Sequence, residues 1–194
     1  MNMTQQALYS TATAQVLQWQ DTEQFSYGAA PSGTATLPVT VAEWANQAGA
    51  WYVVGGALTQ TDPNAPTAAQ LLAQAQAAQI PIITQACAAA ITSGFTSSAL
   101  GSAHTYPSGL TDQANLTANV LGSLLPGLPS TWTTPQLCQD ANGVWAYVAH
   151  TAAQIQQVGS DGKAAILASL TKKASLQAEI EAATTIAAVQ AIVW

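Results

Sequence analysis

The sequence contains no arginine, and its three lysines, Lys163, Lys172 and Lys173, all lie in the last third of the 194 residues. Only 6% of the residues are charged, and the formal net charge is −6. Nucleic acids and anionic lipids are bound through Lys and Arg, and a negative net charge repels them. The composition therefore predicts neither a nucleic-acid partner nor a membrane partner. It also disfavours phosphate chemistry, because no glycine-rich loop with a lysine is present.

Long apolar runs and paired cysteine motifs are also missing. No segment approaches the roughly 20 apolar residues of a membrane helix, and the first residues contain neither a basic nor an apolar stretch. Cys87 and Cys138 lie far apart with no CxxC spacing. These features predict a protein made in the cytoplasm with two free, buried thiols, a disulfide between them being the less favoured alternative.

The residues that commonly carry catalysis or bind metals are few and scattered. His104 and His150 are the only histidines, and neither has a short ligand spacing to Cys87, Cys138 or Asp112. The segment at 140–143 lacks the later acidic ligand of a calcium loop, and no close pair of acids suits glycoside chemistry. The sequence therefore predicts no catalytic residue, no metal ligand, no cofactor and no enzymatic activity.

The surface must consist mainly of Gln, Thr, Ser, Asn and Ala, because charged residues are so few. Burying such side chains against a partner avoids stripping water from ions, so the desolvation cost is low. The composition therefore favours a protein that works within an assembly, through its surfaces.

Residues 1–61 read as a small β-rich unit with the order ββαββ. One hairpin turns at 10–13, and a second places Gly55-Gly56 between two β-forming runs. Between them, Thr40 and Glu43 form a capping box that predicts a short helix through Trp44. The Asp-Pro-Asn-Ala-Pro segment at 62–66 then predicts a linker.

Residues 67–194 change to a helical period and predict long antiparallel helices, with β-hairpins near 95–107 and 137–148. Pro81 should kink the first long helix or divide it in two. Thr111 or Asp112 should cap a second helix, Thr151 a third, and Thr184 or Thr185 a final short one. The pair Asn142-Gly143 predicts a type I′ turn. The fold class is thus α+β.

Six tryptophans fall in or beside the predicted β and short helical elements. Most should be core residues, because a tryptophan buries about 200 Å² and anchors small sheets. Tryptophan is also enriched at binding hot spots. We expect Trp44, Trp51 and above all Trp194 to contact a partner.

The second half resembles a domain of unknown function found at the C-termini of bacteriophage and prophage tail-fibre-associated proteins. The resemblance is carried by the order of the motifs Ala99-Leu-Gly-Ser-Ala-His-Thr-Tyr-Pro107, Asp112-Gln-Ala-Asn-Leu116, Asp140-Ala-Asn-Gly-Val-Trp145, His150-Thr-Ala-Ala-Gln-Ile155 and the closing segment 180–194. The N-terminal unit looks like the small N-terminal part of tail-fibre assembly proteins. The resemblance implies no catalytic residues.

The resemblance implies a non-enzymatic fibre assembly chaperone, or an adaptor or structural subunit retained in the virion. Its partner would be a trimeric tail-fibre protein, and its location the host cytoplasm during assembly or the virion tail. A homo-oligomer is left open. The alternatives are a virion glycan-binding module, with exposed tryptophans stacked on sugar rings, and a small hydrolase acting on the host surface through Asp112, His104 or His150.

Overall fold

The computed structural model describes residues 4–194, which divide into a compact unit ending at Thr67 and another running from Ala68 to Trp194. Helices and antiparallel sheets are both present, so the predicted α+β class is confirmed. The division follows directly after the proline-containing segment at 62–66.

The first unit contains a small sheet, a short helix and a hairpin. Three strands pair antiparallel in the order β2-β1-β3, and β4 pairs with β5. The bounds are β1 Gln5–Ser10, β2 Val16–Asp21, β3 Thr34–Pro38, α1 Val41–Trp44, β4 Tyr52–Val54 and β5 Ala57–Thr59.

The predicted ββαββ order omits a strand, since β3 precedes α1 and pairs with β1. Strand β3 contains one large apolar residue, Leu37, and it ends at Pro38. Both features argue against a strand when only the sequence is known. Proline is tolerated here because β3 lies at the edge of its sheet.

Two local predictions in this unit are confirmed. The Thr40 backbone N–H donates to Glu43 Oε2 at 2.7 Å, and the Glu43 N–H donates to Thr40 Oγ1 at 3.3 Å. Gly55 and Gly56 have φ values of 59° and 80°, the left-handed conformation that a tight hairpin turn requires. Each motif is satisfied within a few residues, which is why the sequence alone predicts it.

The second unit combines two long helices, two shorter helices and one four-stranded sheet. All strand pairs in the sheet are antiparallel, in the order β6-β7-β8-β9. The bounds are α2 Ala68–Thr92, β6 Phe95–Ser97, β7 His104–Tyr106, α3 Leu110–Gly122, β8 Thr133–Gln139, β9 Trp145–Thr151, α4 Ala152–Ala182 and α5 Ile186–Ala191.

Helix α2 continues through Pro81, so of the two predicted outcomes the division into two helices does not occur, and the kink stays a prediction. Proline removes one backbone hydrogen bond, and Pro81 is exposed, where water can reach the freed carbonyl. Ile83 and Cys87 on the same helix are buried. Leu72 and Ala75, before the proline, pack against the same apolar cluster as Ile83, so contacts hold the helix on both sides of Pro81.

The predicted N-caps are confirmed for α4 and α5 and are wrong for α3. Helix α3 begins after Gly109, so the predicted caps Thr111 and Asp112 are wrong; Asp112 lies in the first turn and its Oδ2 accepts from the Gly109 N–H at 3.1 Å. Thr151 caps α4 in a box with Gln154, and Thr185 caps α5, as predicted.

The predicted hairpins near 95–107 and 137–148 both form, and Thr105 pairs with Gln139 to join them in one sheet. The second turn is not type I′, because only Gly143 of the Asn-Gly pair has a positive φ. Asp140 Oδ1 accepts from the N–H groups of Asn142 and Val144, both at 2.9 Å. This side-chain bonding stabilises a longer turn than the pair alone favours.

Two apolar clusters form the core of the second unit. One lies between the sheet and α4 and is centred on Phe95, Tyr106, Cys138, Ile155 and Val158. The other lies among α2, α4 and α5 and is centred on Ile83, Ile180 and Val189. Polar contacts from α2 to the later helices run from Gln76 with Ile180 to Cys87 with Ser169, so α2 and α4 are antiparallel.

Two glycines let α4 approach its neighbours closely. A Cβ atom on Gly162 would stand 2.9 Å from Phe95 Cζ, and one on Gly159 would stand 2.8 Å from Val120 Cγ2. Real Cβ atoms essentially never make contacts below 3.0 Å. Either a side chain at these positions moves its neighbour, or the helix moves away.

We expect Gly162→Ala to destabilise the second unit by about 1–3 kcal/mol, the usual cost of overpacking, reduced by about 1 kcal/mol through better helix propensity. Gly122→Ala is the matched control, because a Cβ there would meet Trp132 at an ordinary 3.8 Å. Thermal unfolding followed by circular dichroism measures both. A Gly162→Ala protein as stable as Gly122→Ala would contradict this account of the packing.

Candidate functional site

A buried hydrogen bond joins the only buried histidine of the described residues to a tyrosine. Tyr106 Oη lies 2.8 Å from His150 Nε2, and His150 Nδ1 lies 2.8 Å from the Val148 carbonyl oxygen. A carbonyl only accepts, so Nδ1 carries the proton, Nε2 accepts and Tyr106 donates. The structure thereby selects one neutral tautomer of His150.

Burial governs the charge of this cluster. It lowers the pKa of His150, an effect opposed by the bond to Val148 and assisted by His104. It raises the pKa of Tyr106 and that of the Cys138 thiol, which interacts with Tyr106. All three groups are therefore neutral near pH 7. Because all three are enclosed, no solvent-borne substrate reaches them.

The other residues considered as metal ligands do not converge. Within residues 4–194, no group of three or more His, Cys, Asp and Glu side chains could hold a metal ion. Both cysteines are free and buried, and the Cys87 thiol donates to the Ser169 carbonyl at 3.5 Å. His104 Nδ1 lies 2.9 Å from the Ser102 carbonyl. These side chains are engaged by nearby backbone.

The three tryptophans predicted to contact a partner lie in two places. Trp44 and Trp51 both pack edge-on against Trp19 in the first unit, with ring centroids 6.3 and 6.2 Å from it. Trp194 packs against the α2–α4–α5 cluster, and Lys172 Nζ lies 4.6 Å from its ring centroid. All three are half-buried, so each has an internal packing role. Their part in partner binding stays a prediction.

An apolar groove opens between α3 and α4 in the second unit. Its volume is about 640 Å³, and apolar side chains dominate its walls: Phe95, Leu116, Val120, Leu121, Ile166 and Leu167. Gly159 and Gly162 also line it, so part of the α4 wall is bare backbone. Lys163 is the one charged residue in its lining.

Two of the leucines that line this groove are exposed: Leu121 on α3 is 60% exposed, and Leu167 on α4 is 51% exposed. Leu110, Leu124 and Leu125, at and beyond the ends of α3, are also largely exposed but are not part of its lining. Single exposed apolar residues are common, but exposed leucines on both walls of an apolar groove mark an interaction surface. The geometry therefore suits a ligand that buries apolar side chains.

A hollow in the first unit has a different character. It has a volume of about 590 Å³ and lies on the sheet β2-β1-β3, beside Phe25 and Tyr27. Its glutamines bond to one another, Gln6 Nε2 to Gln20 Oε1 at 2.9 Å and Gln20 Nε2 to Gln18 Oε1 at 3.2 Å. Gln20 is buried and fully engaged, so this network chiefly stabilises the sheet.

The family model described as Domain of unknown function (DUF4376) matches residues 74–193. The chain belongs to this family. No curated protein and no solved structure matches the chain. The matched DUF4376 segment includes the groove and the Tyr106–His150 pair. Trp44, Trp51 and Trp194 lie outside it.

The groove in the DUF4376 segment was not predicted from the sequence, although the pattern of residues that line it was visible there. Leu116, Val120 and Leu121 form a helical stripe that predicts a core-facing surface. The structure leaves Leu121 exposed, because the stripe is wider than the area that α4 covers. Gly159 and Gly162 gave a second signal in the sequence. Residues three apart lie on the same face of a helix, and glycines there let a neighbouring element approach the backbone closely.

Within residues 4–194, no helix combines the length and the apolar character needed to cross a bilayer.

Acidification should destabilise the DUF4376 segment through His150. Its pKa in the folded protein lies below the ordinary histidine value of about 6.5, so the folded state resists protonation more than the unfolded state does. The stabilisation of the folded state that neutral His150 provides is therefore fully present above about pH 6.5, and it is lost as the pH falls below that value. Each unit of depression corresponds to about 1.4 kcal/mol. Urea unfolding from about pH 7.5 to 5, followed by circular dichroism, measures the loss.

His150→Gln should remove most of this pH dependence, whereas the control His104→Gln, at a half-buried histidine, should retain it. An equal loss of stability on acidification in both variants would show that His150 is not responsible.

Proposed function

We propose that this protein is a bacteriophage tail-fibre-associated protein that acts without catalysis, by binding fibre polypeptide. The observation that carries the proposal is the open leucine groove between α3 and α4. The order of motifs in the second half, which resembles domains in tail-fibre-associated proteins, supplies the identity of the partner.

The groove favours an apolar polypeptide segment over a charged ligand. Covering Leu121 and Leu167 would remove apolar surface from water, a gain of roughly 25 cal/mol per Å². Lys163 is the one charged lining residue that would lose water on binding. A segment with a stripe of apolar side chains, such as an amphipathic helix, supplies that contact.

The scaffold around the groove suits a rigid binding surface. In this proposal the second unit acts as a helical domain, and its long antiparallel helices hold the groove wall on α4 in place. In the first unit, Trp44 and Trp51 add a second contact region, and Trp194 adds another at the end of the chain.

The proposal covers two modes of action. As an assembly chaperone the protein would bind trimeric fibre chains in the host cytoplasm and leave before the particle is complete. As an adaptor or structural subunit it would remain in the virion tail. The alternative occupant of the same groove is a second copy of the chain.

Co-expression with a candidate tail-fibre protein, the product of a neighbouring gene where one is found, tests the proposal. Size-exclusion chromatography with light scattering would be run on the fibre alone and on the pair, and purified particles would be searched for this chain. Soluble fibre trimer that forms only with this protein, and absence from particles, indicates a chaperone. A stoichiometric complex also found in particles indicates an adaptor. No complex and no effect on the fibre would refute the proposal.

Leu121→Asp and Leu167→Asp should each weaken the complex at least about 100-fold, equivalent to about 2.7 kcal/mol, because each buries a carboxylate in an apolar contact. Ile82→Asp is the matched control, since Ile82 is exposed on α2 and lies outside the groove. Titration of fibre into each variant by calorimetry measures the affinities. Equal affinity in the groove variants and the control would locate binding elsewhere.

A further inference from the structure

Strand β9 ends the order β6-β7-β8-β9, so it forms one edge of the four-stranded sheet. It is seven residues long, Trp145–Thr151, and contains neither a charged residue nor a proline. Its pairing with β8 runs from Gln139↔Trp145 to Thr133↔Thr151 without a register shift. An edge strand presents unpaired backbone N–H and C=O groups, which form a template for pairing with another chain. Strand β9 is therefore a regular edge with nothing in its own sequence to block pairing.

The other sheet edges in the described part of the chain are short or interrupted. Strand β3 ends at Pro38, which has no N–H to donate. Strand β2 has a register shift in its pairing with β1, and its Val16 N–H donates to the Trp51 carbonyl at 2.8 Å. Strands β4, β5 and β6 have three residues each. Short strands, prolines and bulges keep sheet edges from pairing with other chains. Of these described edges, β9 alone lacks all such protection.

The alternation of hydrogen bonds between β8 and β9 shows which backbone groups of β9 point outward. Opposite residues in an antiparallel pair alternate between pairs that exchange two backbone hydrogen bonds and pairs that exchange none. Pro135 lies opposite Ala149. It has no N–H, and its carbonyl accepts from Asn119 Nδ2 on α3 at 3.2 Å. Pro135 and Ala149 therefore exchange no backbone hydrogen bonds, and the N–H and C=O of Ala149 point away from β8.

The turn at the other end of this hairpin gives the same assignment. The Asp140 N–H donates to the Val144 carbonyl at 3.1 Å, so these two residues form a hydrogen-bonded pair. The next pair, which contains Trp145, then exchanges no backbone bonds, and the alternation continues along β9 in steps of two. Trp145 and Tyr147 therefore point their N–H and C=O groups away from β8, as Ala149 does.

Trp145, Tyr147 and Ala149 together form an open backbone edge, in which each residue offers one donor and one acceptor. Outside the ladder with β8, no residue within 4–194 bonds to their backbone groups. The next outward N–H, that of Thr151, donates to Gln154 Oε1 at 2.9 Å, so the open edge ends before it. Solvent reaches this edge, since Tyr147 is 74% exposed and Trp145 is 46% exposed. A partner strand must match these three residues.

Charge and register both select a second copy of β9 as the partner. A charged strand would find no opposite charge on β9, whereas a second β9 brings no like charges face to face. In antiparallel pairing about a two-fold axis, all three open residues match one another only if Tyr147 lies opposite itself and Trp145 lies opposite Ala149 of the second copy. Every open N–H in both copies then meets a carbonyl. This register also places the large Trp145 side chain beside the small one of Ala149.

We propose that the protein forms a homodimer by antiparallel pairing of β9 with β9 of a second copy, with Tyr147 on the two-fold axis. The two four-stranded sheets then form one continuous sheet. The symmetric pairing occupies the open edge of both copies, so the assembly closes at the dimer and does not grow into a filament. The residues of β9 are not among those that line the groove between α3 and α4, so the dimer stands independently of fibre binding.

Sedimentation velocity of the full-length protein over about 5 to 500 µM tests the dimer, and it should show a monomer–dimer equilibrium in that range. Tyr147→Lys and Tyr147→Glu should each weaken the dimer at least about tenfold, because each places two like charges directly opposite each other across the axis. An equimolar mixture of the two variants should restore dimerisation, because opposite charges then face each other. Tyr147 is exposed, so both variants should fold.

Ile82→Lys is the control, since Ile82 is exposed on α2 and lies outside both β9 and the groove. It should dimerise as the unmodified protein does. A protein that stays monomeric up to about 500 µM would overturn the proposal. So would a dimer that both Tyr147 variants leave intact, a loss that mixing them does not restore, or an equal loss in Ile82→Lys. A dimer that Leu121→Asp abolishes and Tyr147→Lys leaves intact would place the second copy in the groove instead.

Discussion

The close approach of α4 to strand β6 at Gly162 is the contact on which the rest of the second unit depends. The missing side chain lets Phe95 reach the helix, and Phe95 stacks on Tyr106 with ring centroids 5.5 Å apart. Tyr106 in turn bonds to His150 on β9. Beside the glycine, Asp161 accepts from Ser97 Oγ at 2.6 Å. One helix position thereby connects three strands of the sheet to α4, which forms one wall of the groove.

The shortage of charge explains why such surfaces remain open. A typical domain covers its apolar edges with Lys, Glu and Arg side chains, whose long stems shield carbon while their heads stay in water. Here only 6% of residues are charged, so leucines at the groove between α3 and α4 have no such cover. Burying uncharged polar side chains against a partner costs less desolvation free energy than burying ions, which connects the composition to the proposed function.

The sequence predicts features that are settled within a few residues and misses those decided by neighbours distant in the chain. The Thr151 cap and the Gly55-Gly56 turn satisfy their own backbone, so their residue types suffice. Strand β3 depends on pairing with β1 and has little apolar signal of its own. For the candidate site, periodicity shows that Leu121 belongs to an apolar stripe. How much of that stripe α4 covers depends on helix separation, which Gly159 sets.

Hydrogen exchange of the protein, alone and in complex with the tail-fibre protein proposed as its partner, tests the central claim most directly. Amide exchange reports on local opening and shielding across the whole chain, so it does not presuppose a contact site. The account predicts slower exchange on binding in α3 and in the stretch 156–170 of α4. Unchanged exchange in α3 and α4, in a complex that demonstrably forms, would contradict it.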